Sequence, residues 1–198
     1  MSDGDYTIPN ADNVSSSDIQ PEASLKSADL SEADLRHAEL READLTGACL
    51  SGADLREVDL RDAVLQDANF KDASLTGAVL HRADLTNADL ENADLVGTKL
   101  PDADLRDGNL TGVDLMRADL SHADLRDANL TGVNLTGANL TQSDFRDADL
   151  TGADLTDVEL QGTILKRADL EDTDFTGTNL ERAWLERAGI DDISDEYL

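Results

Sequence analysis

Ala28-Asp29-Leu30-Ser31-Glu32 returns as Ala53-Asp54-Leu55-Arg56-Glu57 and again as Ala153-Asp154-Leu155-Thr156-Asp157. Outward from these stretches, a large aliphatic or aromatic residue falls on every fifth position from Leu25 to Ile190. There are 34 such sites, and only Phe70, Phe145, Phe175 and Ile190 are not Leu. Two residues before each stands a small residue, Ala at 24 of the 34. A helix turns about 100° per residue, so sites five apart would scatter around its surface. A flat strand alternates faces, so an odd spacing would send every second large residue into water. The pattern is satisfied when the chain bends in the same sense after every five residues, with each large residue and the small one before it facing a common axis. That is a solenoid of stacked coils.

Turn chemistry agrees. If the large residue opens a four-residue turn, the third turn position lies two residues later, where a type II turn needs positive φ and favours Gly or Asn. Gly stands there ten times, Gly47 and Gly132 among them. If four such turns close one coil of 20 residues, eight of the ten fall on two adjacent corners, at positions 12 and 17 of the coil, and Asn92 extends the first series. The sequence therefore predicts unequal corners, with type II turns concentrated on two of them.

The quoted runs resemble the A(D/N)LXX signature of pentapeptide repeat proteins, and the resemblance covers residues 23–192. It implies an all-β, right-handed, four-sided parallel β-helix of about 8.5 coils, so the square cross-section comes from the family. At about 4.8 Å per coil the rod is roughly 40 Å tall. Leu25, Leu45, Phe70, Leu90, Leu110, Phe145 and Phe175 belong to its core.

Residues 1–22 break the period, with Gly4, Pro9, Pro21 and Ser15-Ser16-Ser17, and read as a disordered arm or loose N-terminal cap. Residues 193–198 read as a short cap or dimerisation tail. The arm has no basic start and no apolar run of signal-peptide length, and no stretch reaches transmembrane length. The single cysteine, Cys49, rules out an internal disulfide and suits a reducing interior, so a cytoplasmic location is expected, without a membrane partner.

Of the formal charge of −28, −5 falls on residues 1–22 and −4 on 191–198, leaving −19 on 23–190. That is about one net negative charge per ~2 Å of rod, close to duplex DNA at one per ~1.7 Å. Direct nucleic-acid binding is disfavoured and a basic or DNA-binding protein partner is favoured. Acids number 33 Asp and 11 Glu against 12 Arg and 4 Lys, a bias that also fits a halophilic cytoplasm, where screening over roughly 3 Å removes self-repulsion. By side of the coil the charge divides as −8, −5, −3 and −3, with Leu30, Leu90, Leu150 and Leu170 on the most acidic side.

Asp or Asn usually precedes the large residue, where its side chain can bond turn backbone. A cation ladder of Asp84, Asp104, Asp124 and Asp144 is the competing use, but a convex ladder offers too few oxygens for a hard cation. No metal or cofactor is expected. Ser121, His122 and Asp102 can be written as a triad, yet on a convex corner without a pocket they read as solvated surface, and Cys49 has no histidine beside it, so no catalytic residue is assigned. Outward apolar residues are rarer. Ile164 and Trp184 should be vertical neighbours, and with Ile190, Ile193, Tyr197 and Leu198 they form an apolar C-terminal end. A solenoid end needs covering, by its own tail or by a second copy in an end-to-end homodimer. Residues 128–143 carry no charge, with Asn129, Asn134 and Asn139 in the acidic slots.

The functional expectation is a non-enzymatic, rigid acidic scaffold for protein interaction. The alternative is DNA mimicry toward a type II topoisomerase, implied by the resemblance to pentapeptide repeat proteins linked to quinolone resistance. The uncharged belt interrupts such mimicry, and this chain has no inserted loops between its repeats.

Overall fold

The computed structural model describes residues 6–10 and 14–185. Residues 14–22 and 6–10 lie against the lower end of a solenoid that runs to Leu185. Ile190, Ile193, Tyr197 and Leu198, and with them residues 193–198, lie outside the described residues.

Every parallel bridge joins residues 20 apart, from Ser24–Asp44 to Ile164–Trp184. One coil is therefore four pentapeptides, and the chain forms a right-handed quadrilateral parallel β-helix. The sides are numbered first to fourth after Leu25, Leu30, Leu35 and Leu40. Each side is one bridge residue wide, because the chain turns again before a longer strand can form.

One pentapeptide shows why five residues suffice. Leu55 N–H donates to Ser74 O at 2.7 Å, Glu57 N–H to Thr76 O at 3.0 Å, and Asp59 N–H to Ala38 O at 2.9 Å, so three bonds run between coils. Val58 N–H closes the turn on Leu55 O at 3.1 Å. The fifth donor, Arg56 N–H, reaches Asp54 Oδ1 at 3.3 Å. No backbone donor of the repeat is left over, which a thin rod with so little interior requires.

The interior is a file of large residues over small ones. Leu25, Leu45, Phe70, Leu90, Leu110, Phe145 and Phe175 are all buried. Where the small slot is Thr or Ser, the hydroxyl finds a carbonyl. Thr163 Oγ1 donates to Leu140 O at 2.6 Å and Thr98 Oγ1 to Leu75 O at 3.1 Å. Leu O already accepts the turn N–H, so the hydroxyl uses its second lone pair.

The corners correct the expectation of unequal turns. Positive φ occurs at the third turn position on every corner from Glu22 to Gly177, at ten Gly and at 22 other residues. The ladder is the reason. The N–H at this position donates to the next coil on all four corners, as Asp62 N–H does to His81 O at 3.0 Å, and only this turn aims it there. A non-Gly residue in this region costs about 1–2 kcal/mol, and 13 of the 22 are Asp, Asn or His, which tolerate it best. The cost can be isolated at Gly132, where an added methyl meets nothing within 4 Å. Gly132→Ala is expected to lower stability by about 1 kcal/mol. Denaturant unfolding checks this, and an unchanged midpoint would show that the ladder relaxes around the strain.

At the lower end, Asp34 N–H donates to Thr7 O at 2.8 Å in an antiparallel bridge. Ser16–Asp18 form a 3-10 turn held by Ser15 Oγ–H on the Asp18 carboxylate at 2.7 Å. Ile19 is buried over the first coil, and Tyr6, Ile8 and Val14 pack beside it. These side chains shield core that would otherwise end in water.

Candidate functional site

The residue before each large one points outward, and where it is Asp or Asn its side-chain oxygen accepts the N–H two residues on. This recurs from Asp29 to Asn179, with carboxylates and amides used alike: Asp94 accepts from Val96 N–H at 3.1 Å and Asn129 from Thr131 N–H at 3.0 Å. The Asn residues do more. Asn109, Asn134 and Asn139 each donate an amide N–H to the carboxylate one coil below, on Asp89, Asp114 and Asp119, at 3.0–3.1 Å. The uncharged belt therefore includes amides stacked on acids, relieving repulsion between like charges.

The proposed cation ladder is occupied from within. On the first side Arg106 clamps Asp104 at 2.8 and 2.5 Å, Arg126 clamps Asp124 and Arg146 clamps Asp144 in the same two-point manner. Arg106 Nε also lies 3.7 Å from Asp124 Oδ2 and Arg126 Nε 4.0 Å from Asp144 Oδ2, so the pairs form a zipper up the side. Asp84 instead accepts from Thr86 and from Gln66 Nε2 at 2.7 Å. The sequence reading tracked the Asp column and missed its arginines, although Asp-Leu-Arg recurring at 20 residues was the available signal. The same spacing makes Asp34–Arg36 and Asp54–Arg56 pairs on the third side.

These partners set the titration. A hydrogen bond from Arg56 holds Asp54 below the ordinary carboxylate value, Arg61 does so for Asp59 and Arg167 for Asp147, while hydroxyl donors from Thr151 and Thr156 lower Asp149 and Asp154. At Asp104 burial pushes upward, yet the bonds from Arg106 outweigh it. Every resolved carboxylate shift among the described residues is downward, despite the surplus of acid. A depressed folded pKa stabilises the fold above the unfolded value of about 3.9 and ceases to do so as pH falls through the folded value. Melting temperature is thus expected to fall as pH drops below about 4. If relief of acidic repulsion dominated, melting at pH 3 would instead exceed that at pH 7.

The written triad does not assemble. Asp102 turns its carboxylate to His81 at 3.6 Å, and it meets Ser121 through the backbone ladder, Asp102 N–H donating to Ser121 O at 3.0 Å, with no side-chain hydrogen bond among Ser121, His122 and Asp102. Cys49 has Asp29 below and Asn69 above, and its Sγ lies 3.3 Å from Ser51 Oγ. Among the described residues no helix is long and apolar enough to cross a membrane.

Ile164 and Trp184 are brought together. Trp184 N–H donates to Thr163 O and Leu165 N–H to Trp184 O, both at 2.9 Å, which fixes the two outward side chains one above the other. Trp184 is 68% exposed, the exposed large hydrophobic of the described surface. They stand where the first-side zipper ends, above Asp144, with Lys166 and Arg167 on the adjoining corner. A shallow groove lined by Arg126, Asp127, Arg146, Asp147, Lys166 and Arg167 runs beneath.

A family model for pentapeptide repeats matches residues 23–62, 63–100, 98–137, 128–167 and 153–188. The chain belongs to the pentapeptide repeat family. This pentapeptide repeat protein is 35% identical to HetL, a family member involved in heterocyst differentiation regulation in the cyanobacterium Nostoc sp. strain PCC 7120, over 86% of both chains with a TM-score of 0.51. QnrB1, a plasmid-mediated fluoroquinolone resistance protein, is 19% identical over 76% of this chain and 78% of its own, with a TM-score of 0.56, a likeness of fold. A pentapeptide repeat protein of the Arabidopsis thaliana thylakoid lumen is 40% identical over 61% of this chain and 70% of its own, with a TM-score of 0.40. A comparison with curated protein sequences found no match.

Proposed function

We propose that this protein is a non-enzymatic, rigid acidic scaffold of the cytoplasm that binds a basic or DNA-binding protein and does not bind nucleic acid itself. The observation that carries this reading is the carboxylate lattice. Each Asp that precedes a large residue is pinned by a backbone N–H, so the acids on the second and third sides stand at fixed points of their columns, with neighbours such as Asp149 and Asp169 or Asp154 and Asp174 one coil of about 4.8 Å apart. Such charges meet a partner without first losing side-chain freedom, and a basic surface of matching spacing gains association rate and specificity from them. Capture from native extract at native salt tests the reading. Retained proteins should be basic and should elute with salt, whereas retention of neutral proteins indifferent to salt would sink it.

The second reading is a DNA-mimicking binder of a type II topoisomerase. It is favoured by the rod's net charge of about one per ~2 Å, near that of duplex DNA. A gyrase supercoiling assay separates it from the first, because a mimic inhibits at micromolar protein and a scaffold for another partner leaves supercoiling intact.

A further inference from the structure

The first coil has no coil beneath it, and its downward ladder groups mark where the rod can still be extended. Higher up, the residue before each large one pairs twice with the coil below. Asp44 N–H donates to Ala23 O at 2.8 Å and Cys49 N–H to Ala28 O at 2.9 Å, while Asp44 O accepts from Leu25 N–H and Cys49 O from Leu30 N–H, both at 2.7 Å. On the third side of the first coil the N-terminal arm supplies a partner, Thr7 O for Asp34 N–H, and on the fourth Glu22 N–H donates to Arg41 O at 2.8 Å. Among the described residues, Ser24 on the first side and Asp29 on the second have no backbone partner below.

A cavity of about 650 Å³ lies at that corner, bounded by Pro9, Asn10 and Asp18 of the arm and by the coil from Ser24 to Asp29. Its floor offers little apolar surface, since Ala23, Leu25 and Ala28 are buried, so an occupant is held by backbone and rim. Hydrogen bonds from Ser15 and Ser31 hold the carboxyls of Asp18 and Asp29 below the ordinary value, and Lys26 is already paired with Asp44 at 2.9 Å. An open strand edge beside two charged carboxylates suits strand addition, in which main-chain bonds give affinity and side chains give specificity. We propose that an extended, lysine- or arginine-bearing segment of a protein partner adds to the lower end of the rod, pairing its backbone with Ser24 N–H and C=O and setting its cations on Asp18 and Asp29. The arm shows the mode, because Thr7 adds to Asp34 as an antiparallel residue. A second copy fits poorly, since the same acids would face each other. The site deepens the scaffold reading, on which the occupant's charge rests, and places the segment at the end of the rod instead of along its sides.

The backbone amide of Ser24 reports on the edge directly. In the free chain it should exchange quickly with solvent, and a Lys-Val-Lys-Thr-Lys-Val-Lys peptide should bind, by fluorescence anisotropy, and slow that exchange several-fold. Ser24→Pro removes the donor and breaks no ladder bond, because the pairing with Asp44 uses Ala23 O and Leu25 N–H. It should weaken the peptide by about tenfold, the loss expected of one or two hydrogen bonds, with melting unchanged, while Ser24→Ala should bind as the natural chain does. Asp18→Asn with Asp29→Asn should weaken it several-fold. Equal affinity for the natural chain and Ser24→Pro, or unchanged exchange at Ser24 when the peptide binds, overturns the proposal and leaves the carboxylate columns as the basic partner's site. Failure of the peptide to bind at low salt overturns it and counts against a basic partner as well. Slow exchange at Ser24 before any peptide is added also overturns it, by placing the chain itself on the edge if the protection survives dilution and a second copy if it does not.

Discussion

Leu90→Asp should leave the rod unable to hold its middle coils, whereas Asp89→Asn, one residue away, should be nearly silent. Leu90 is fully buried in the file of large residues, between Phe70 one coil below and Leu110 one coil above. Removing its side chain alone costs about 2–5 kcal/mol, and a carboxylate placed there has no cation or N–H donor to meet it, which adds several kcal/mol more. Each coil contacts only its neighbours, so the damage interrupts the stack rather than one site. Asp89 faces outward, where Oδ2 makes an exposed ion pair of little worth with Lys71 Nζ at 3.2 Å and Oδ1 accepts from Glu91 N–H and from Asn109 Nδ2. An amide oxygen serves both, so the expected change is within about 0.5 kcal/mol. Circular dichroism melts of the two variants check the contrast. A folded Leu90→Asp rod would mean that the interior admits water.

Raising KCl from dilute buffer to molar concentration should raise the melting temperature steeply. The surplus of acid, −28 over the chain, acts at long range and is screened once the Debye length shrinks to about 3 Å. What favours the charged carboxylates acts at short range. At Asp34, Asp54 and Asp59 a side-chain hydrogen bond from arginine is the leading cause of the lowered pKa and Coulombic attraction a lesser one, while at Asp149 the hydroxyl and then the backbone N–H of Thr151 lower it. Salt therefore removes the repulsion while leaving the bonds in place, and the exposed Arg–Asp pairs it weakens contribute little. A melting temperature indifferent to KCl would contradict this balance and the expectation that the acidity suits a high-salt environment.

The coil was legible because its cause is periodic. An unbroken file from Leu25 to Leu185 admits one kind of chain path, and the resemblance of Ala53-Asp54-Leu55 and its repeats to a known signature supplied the square section. The corners were misread for a physical reason. Glycine marks where positive φ is cheap, while the ladder bond from a position such as Asp62 decides where positive φ is required, and the ladder is invisible without the 20-residue stack. The Asp–Arg zipper was half legible. The column of Asp104, Asp124 and Asp144 was seen, but the guanidinium of Arg106 folding back over its own corner is a side-chain geometry that spacing suggests only once the turn is known. The pairing of Ile164 with Trp184 followed from arithmetic on the period, since both lie in the same slot one coil apart.

The interchangeability of Asp and Asn on these corners separates fold from function and gives the most direct test. Replacing Asp89, Asp94, Asp149, Asp154, Asp169 and Asp174 by Asn keeps every turn acceptor and strips six charges from the second and third sides. Capture from native extract should be compared between this variant and the natural chain at matched salt and matched melting temperature. The scaffold account predicts a variant that folds as before and loses the basic proteins the natural chain retains. Equal retention by both would contradict it, because the carboxylate lattice would then not be what the partner reads.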